Sequence, residues 1–315
     1  MLGLENQSEV ATATSPAEKK IPIVLQGEGV MTKQMKNEKF LLFVGIGLLL
    51  ISGVVSGEEK WKPTFHLYLS GGLGFVNSGD FNTIVRGEKD QWGDADEYFD
   101  WAEWKNMLDF QGEFILDLTR NIGIGFGSGY LSKKSEGRYG EPDYEFQRNY
   151  SFRFIPISGS LYLTIPAGTI VSFFIKGGAD YYFGKMRQEE KIDYSGNQIL
   201  VTEDASCNIL GFHIGGGMEF KVAPKVSVVI NGLYRIANFK KWTGKGHDED
   251  EISSRDWDGE LYFYENHQLW DGEMEWIPRL TLTNESMMPS NRRNTRSGEI
   301  NIGGLVLTAG LKIGF

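Results

Sequence analysis

The sequence predicts an all-β fold: a closed antiparallel transmembrane β-barrel of about eight strands, with short periplasmic turns and long extracellular loops. Three observations lead there. Apolar and polar residues alternate in segments about ten residues long, the length of a membrane-spanning strand. Short turns alternate with long polar connections. The chain also holds 40 glycines with 13% aromatic residues, a balance suited to a barrel whose crowded interior takes small side chains.

The last segment is the clearest. Leu305, Leu307, Ala309, Leu311, Ile313 and Phe315 form one face, and Val306, Thr308, Gly310, Lys312 and Gly314 the other. Side chains alternate across a strand, so one face is apolar throughout and the other small or polar. The pattern recurs over residues 65–75, 108–118, 122–130, 155–165, 171–183, 210–221 and 226–236. In residues 122–130 the face opposite Ile122, Ile124 and Phe126 is a row of glycines.

The connections support the same reading. Thr119-Arg120-Asn121, Ala167-Gly168-Thr169 and Ala223-Pro224-Lys225 are rich in turn-forming residues. Between them stand polar stretches at residues 76–105, 132–149, 184–206 and 239–299, read as loops. A membrane barrel places its long connections at one end. Within the fourth, residues 261–264 and 279–283 have strand propensity and are expected to extend the barrel as a β-ribbon.

The formal net charge of −10 disfavours nucleic acid as a partner. Cys207 is the only cysteine, which excludes an intrachain disulfide and a cysteine-based zinc site. The longest apolar run, Phe40 to Val55, follows Lys33, Lys36 and Lys39 and leads into small residues before Glu58. That layout reads as a signal peptide over residues 31–57, with an uncleaved anchor as the competing reading. The barrel domain is then 58–315. Residues 1–30 are patternless and are read as a non-native extension upstream of a start at Met31 or Met35.

Thr308-Ala309-Gly310-Leu311-Lys312-Ile313-Gly314-Phe315 resembles the C-terminal signal of outer-membrane barrels, in which a polar residue, a glycine, an apolar residue and a final aromatic recur at fixed spacing. Residues 58–315 resemble small outer-membrane barrels of the OmpX, OmpW and OmpA transmembrane-domain type. The resemblance implies an outer-membrane location and insertion by the barrel assembly machinery through Thr308, Gly310, Ile313 and Phe315. It also implies periplasmic chaperones in transit, and contact with outer-membrane lipid and lipopolysaccharide. A non-catalytic barrel is expected, its surface loops serving adhesion, envelope integrity or recognition of an unidentified extracellular ligand. An OmpW-like route for a small or hydrophobic solute, and a lipid A-modifying barrel enzyme, are the alternatives.

Residue by residue, Asp109, Glu113, Lys176, Asp180, His213, Glu219 and Arg235 are expected to point inward as a salt-bridged polar network, since unpaired charges there would be costly. His66 and His213 fall inside and His247 and His267 in the fourth loop, with no serine or threonine beside them in a catalytic arrangement. The acidic stretches 247–251 and 256–260 lack the spacing of a calcium loop and are read as solvated surface; no metal or cofactor is expected. Trp92, Trp101, Trp104, Trp242, Trp257, Trp270 and Trp276 lie in the first and fourth loops. They are candidate surface recognition residues, or else they pack the two loops together.

Overall fold

The computed structural model describes residues 62–92, 98–141, 144–194, 197–250, 252–270, 273–284 and 286–315. The readings of residues 1–30 and of the signal segment 31–57 lie outside them. Among the described residues fifteen strands and one helix form, where about eight strands were expected. In chain order these begin with β1 (Thr64–Phe75), α1 (Asp80–Trp92), β2 (Tyr98–Trp101), β3 (Asn106–Asp117), β4 (Ile122–Glu141) and β5 (Tyr144–Pro166). Then come β6 (Val171–Tyr194), β7 (Asn197–Ala223), β8 (Val226–Ile236), β9 (Asn238–Phe239) and β10 (Thr243–Glu249). The last are β11 (Ser254–Trp270), β12 (Glu273–Thr283), β13 (Arg292–Ser297), β14 (Ile300–Asn301) and β15 (Gly304–Gly314).

Antiparallel pairing runs from β1 through β3, β4, β5, β6, β7, β8 and β15 and returns to β1. This circuit of eight strands contains the alternating segments of the sequence. The additional strands come from stretches read as loops. Residues 132–149 and 184–206 are the upper halves of the β4–β5 and β6–β7 hairpins, paired almost to their tips.

Those upper halves keep the phase of the strand but exchange its faces. In the lower half of β5, Ile155, Ile157, Leu161 and Ile165 face outward and Ser160 and Tyr162 inward. Above, Arg153 faces outward, while Phe154, Phe152, Tyr150 and Phe146 are buried inside. The change falls at one height on neighbouring strands: Ser132, Arg153, Lys185 and Ser206 form a cross-strand row, and Ile155 pairs with Phe183 just below. A lower storey therefore has an apolar outer wall and a polar interior. The upper storey has a polar outer wall and an apolar interior, as a water-soluble β-fold does.

Upper-storey pairing follows the order β2–β4–β5–β6–β7–β10–β11–β12. The expected β-ribbon is the β11–β12 pair, with Leu261 opposite Leu282 and Tyr264 opposite Arg279. Helix α1 packs against both β12 and β2. Phe81, Ile84 and Val85 bury one helix face at spacings of three and four residues. Gly87 allows the close approach, since a Cβ there would stand 2.3 Å from Pro278 Cγ. Asn82 fixes the helix to the chain ahead of β3. Its carboxamide donates to Trp104 O at 3.0 Å and accepts from Trp104 N at 2.7 Å.

Candidate functional site

The interior is layered. Lowest are His66 with Asp117 at 2.8 Å and Lys312 with Glu219 at 3.1 Å. Tyr68, Ile115, Tyr162, Phe174 and Val229 form an apolar layer above them. Next, Glu113 accepts from the Tyr162 hydroxyl at 2.5 Å and pairs with Lys176 at 3.3 Å. Higher still, Asp109 pairs with Arg235 and accepts from Gln111 at 2.9 Å. Of the seven residues assigned to the interior by alternation, Glu113, Lys176, Asp180, His213 and Arg235 line one small void, Asp109 is paired with Arg235 and Glu219 with Lys312.

His213 belongs to an arrangement that the sequence reading did not find. Its Nδ1 stands 2.9 Å from Asp180 Oδ2 and its Nε2 3.2 Å from Ser160 Oγ. With Nδ1 donating to Asp180, Nε2 accepts from the serine hydroxyl, the connectivity of a hydrolytic triad. Spacing conceals it because Ser160, Asp180 and His213 come from three strands joined only by register. The surroundings give a substrate no room: the void touching His213 and Asp180 holds about 20 Å³, space for a single water. A second void, beside Tyr162 and Glu219, holds about 10 Å³.

Above the Asp109–Arg235 pair the interior is closed by an aromatic plug. Phe81 from α1 meets Trp101, Trp104, Tyr150 and Phe152 edge-on, at centroid distances of 5.9, 5.9, 5.0 and 5.5 Å. Phe154, Phe239 and Trp242 complete it. Trp101, Trp104 and Trp242 are therefore buried plug residues and not surface recognition residues. Their large rings are what closing the upper storey requires. Trp276 is surface-exposed, its ring stacked on His267 at 4.4 Å and beneath the Arg293 guanidinium. Trp257 is half-buried, its indole N–H donating to Leu282 O at 2.7 Å. The side chains of Trp92 and Trp270 lie outside the described residues.

Over the plug, the curled upper sheet encloses a cleft of about 800 Å³. Its floor is an ion-pair cluster: Glu88 of α1 meets Arg279 at 2.5 Å and Arg148 at 3.4 Å, and Arg148 also reaches Glu190 at 2.9 Å. On the wall, Arg255 pairs with Asp248 at 2.7 Å. Glu203 accepts from Thr281 Oγ1 at 2.7 Å and from Leu282 N at 3.0 Å. Burial nevertheless raises its carboxyl to about 7. Of these cleft residues the sequence singles out Trp257, places Asp248 in an acidic stretch, and puts Arg279, Thr281 and Leu282 in a segment of strand propensity; Glu88, Arg148, Glu190, Glu203 and Arg255 lie in segments read as loops. The signal was present: Phe146, Tyr150, Phe152 and Phe154 continue the period of two with inverted polarity. Among the described residues no cluster of potential ligands is grouped to hold a metal ion.

The outer wall of the lower storey exposes Phe65, Phe114, Phe126, Leu161, Ile175 and Leu210 all around the circuit. Monomers in water rarely show so continuous an apolar band, and apolar-out, polar-in strands define a membrane barrel. The comparison with protein families gives the same class. The outer membrane protein beta-barrel domain matches residues 46–261, more than half of the chain, and the chain belongs to that family. Among solved structures, a major outer membrane protein from Thermus thermophilus matches at 12% identity, covering 81% of this chain and 100% of that chain with a TM-score of 0.36. No curated protein matches.

Proposed function

We propose that this chain is a non-catalytic, non-conducting barrel of a Gram-negative outer membrane, whose upper storey stands outside the cell and recognises an extracellular ligand in its cleft. One observation carries the reading: the interior is blocked by the aromatic plug, while the cleft above it is open and built from side chains held by ion pairs. A permeation route would need a continuous polar path, and the interior voids of about 20 and 10 Å³ are separated by the layers around Tyr162 and Glu113. Catalysis through Ser160 would need space for a substrate beside its hydroxyl. The lower wall suits contact with lipid and lipopolysaccharide. Residues 31–57 would direct export, and Thr308, Gly310, Ile313 and Phe315 would be read by the assembly machinery.

The test is planar-bilayer recording on refolded protein, with a known porin as positive control. The protein is expected to give no conductance steps. Reproducible unitary steps would overturn the sealed-barrel reading in favour of the solute route.

A further inference from the structure

Just above the apolar wall, neighbouring strands carry cations on their outer face. Arg153 of β5 and Lys185 of β6 are direct cross-strand partners in the border row. One row up, Lys134 of β4 and Arg187 of β6 flank Ser151. Arg187 is answered by Glu189 at 2.8 Å and by Asp204 at 4.0 Å. Lys134, Arg153 and Lys185 are exposed and take part in no ion pair among the described residues. Glu136 follows Lys134 on the same face of β4, one row further from the border.

Residues directly opposite on antiparallel strands have Cβ atoms about 5 Å apart, and like charges placed there repel. Lys134 lies diagonal to Arg153, a separation of about 7–8 Å. Three cations at this spacing without a counter-charge are suited to an anion. A guanidinium beside ammonium groups fits a phosphate, because arginine offers a two-pronged donor and lysine a compact charge.

The surface below defines the rest of the ligand. Ile155 and Phe183 are the next outward pair on the same two strands, and Ile157 and Tyr181 the pair after that. All four are exposed on the apolar wall. The Tyr181 and Phe183 rings meet edge-on at 5.1 Å, at the height where a membrane barrel carries its aromatic girdle. A free anion would use the cations alone, whereas an amphiphile with a phosphate head and an apolar chain uses both surfaces.

We infer that Lys134, Arg153 and Lys185 hold the phosphate group of an outer-leaflet lipid, whose acyl chain lies along Ile155, Phe183 and Ile157. The inference rests on the reading that sets the upper storey outside the cell and the lower wall in lipid.

The test uses the full chain refolded in an uncharged detergent, with bound molecules counted by native mass spectrometry. It is titrated with phosphatidic acid, with phosphatidylcholine of the same chains, whose choline cancels the headgroup charge, and with inorganic phosphate. Phosphatidic acid is expected to bind saturably and at least tenfold more tightly than phosphatidylcholine. Its Kd should rise tenfold or more in Arg153→Gln and in Lys185→Gln. Arg153→Lys, which keeps the charge, should retain most of the affinity. Lys225→Gln, which removes an equal charge at the exposed β7–β8 turn, should leave it unchanged. The fast-migrating folded band on unheated gels confirms that each variant is folded. Binding undiminished in Arg153→Gln and Lys185→Gln, equal weakening in Lys225→Gln, or equal affinity for phosphatidylcholine would overturn the phosphate site and leave the lipid-facing wall standing. Inorganic phosphate binding as tightly as phosphatidic acid would overturn the lipid assignment. Retention of neither lipid would overturn both the site and the lipid-facing reading.

Discussion

Phe154 and Ile155 are adjacent in β5 and face opposite surroundings: Phe154 is fully buried in the plug, while Ile155 is 45% exposed on the outer wall. The border between the storeys passes between them. Below that border outward side chains meet lipid, and above it they meet water.

This border is directly testable. Leu161→Arg puts a cation midway down the apolar wall of the lower storey and should cost about 2–4 kcal/mol, the cost near the bilayer midplane. Glu136→Arg, outward on β4 above the border, should change stability by no more than about 0.5 kcal/mol. Urea unfolding in lipid vesicles measures both. Equal costs would mean that the change of face does not mark the membrane boundary.

The Asp109–Arg235 pair is buried on both sides. Asp109→Ala leaves a guanidinium without its counter-charge and should destabilise the barrel by about 3–5 kcal/mol, whereas Asp109→Ala combined with Arg235→Met should recover most of that loss. The comparison is a double-mutant cycle in the same unfolding assay. Additive losses would show that the two groups do not act as a pair.

Phe81 supplies the centre of the plug, and Phe81→Ala should cost about 3–5 kcal/mol through the cavity it leaves. Bilayer recordings of the variant should still show no steps, because the Glu113–Lys176 and Asp109–Arg235 layers remain below. Conductance in this variant would identify the plug as the sole barrier.

Glu203 links the upper storey to pH. Burial, the main cause, raises its carboxyl from 4.5 to about 7, so the folded chain binds that proton more tightly than the unfolded chain. The resulting stabilisation is complete below about pH 4.5, declines as pH rises through the window and is lost above about 7. Proteolysis of the upper storey should accelerate across that window. Glu203→Gln, uncharged throughout, should remove this dependence. Parallel pH profiles for the two proteins would exclude Glu203 as the source.

The lower storey was legible in the sequence because lipid outside and packed polar groups inside impose one unbroken period of two. The same period continues through Phe146, Tyr150, Phe152 and Phe154, but there the apolar face turns inward. A reading tuned to apolar-out strands takes the charged residues on the opposite face for a loop. Helix α1 was illegible for a different reason. Among its described side chains the apolar face is formed by Phe81, Ile84 and Val85, interrupted at Gly87, and it is held by partners distant in sequence: Arg296 on Asp80, Trp104 on Asn82, and Arg148 and Arg279 on Glu88. The histidine site failed similarly, since Ser160, Asp180 and His213 meet only once strand register is known.

The packing of Gly87 against Pro278 has a consequence for the order of assembly. Helix α1 follows the first strand, but the surface it covers belongs to β12, nearly two hundred residues later, and β1 likewise waits for β15. Both storeys are thus sealed by joining early segments of the chain to late ones. Until those late segments are in place, the apolar face of α1 lacks part of its cover, so holding the unfinished chain out of water is a requirement of this architecture.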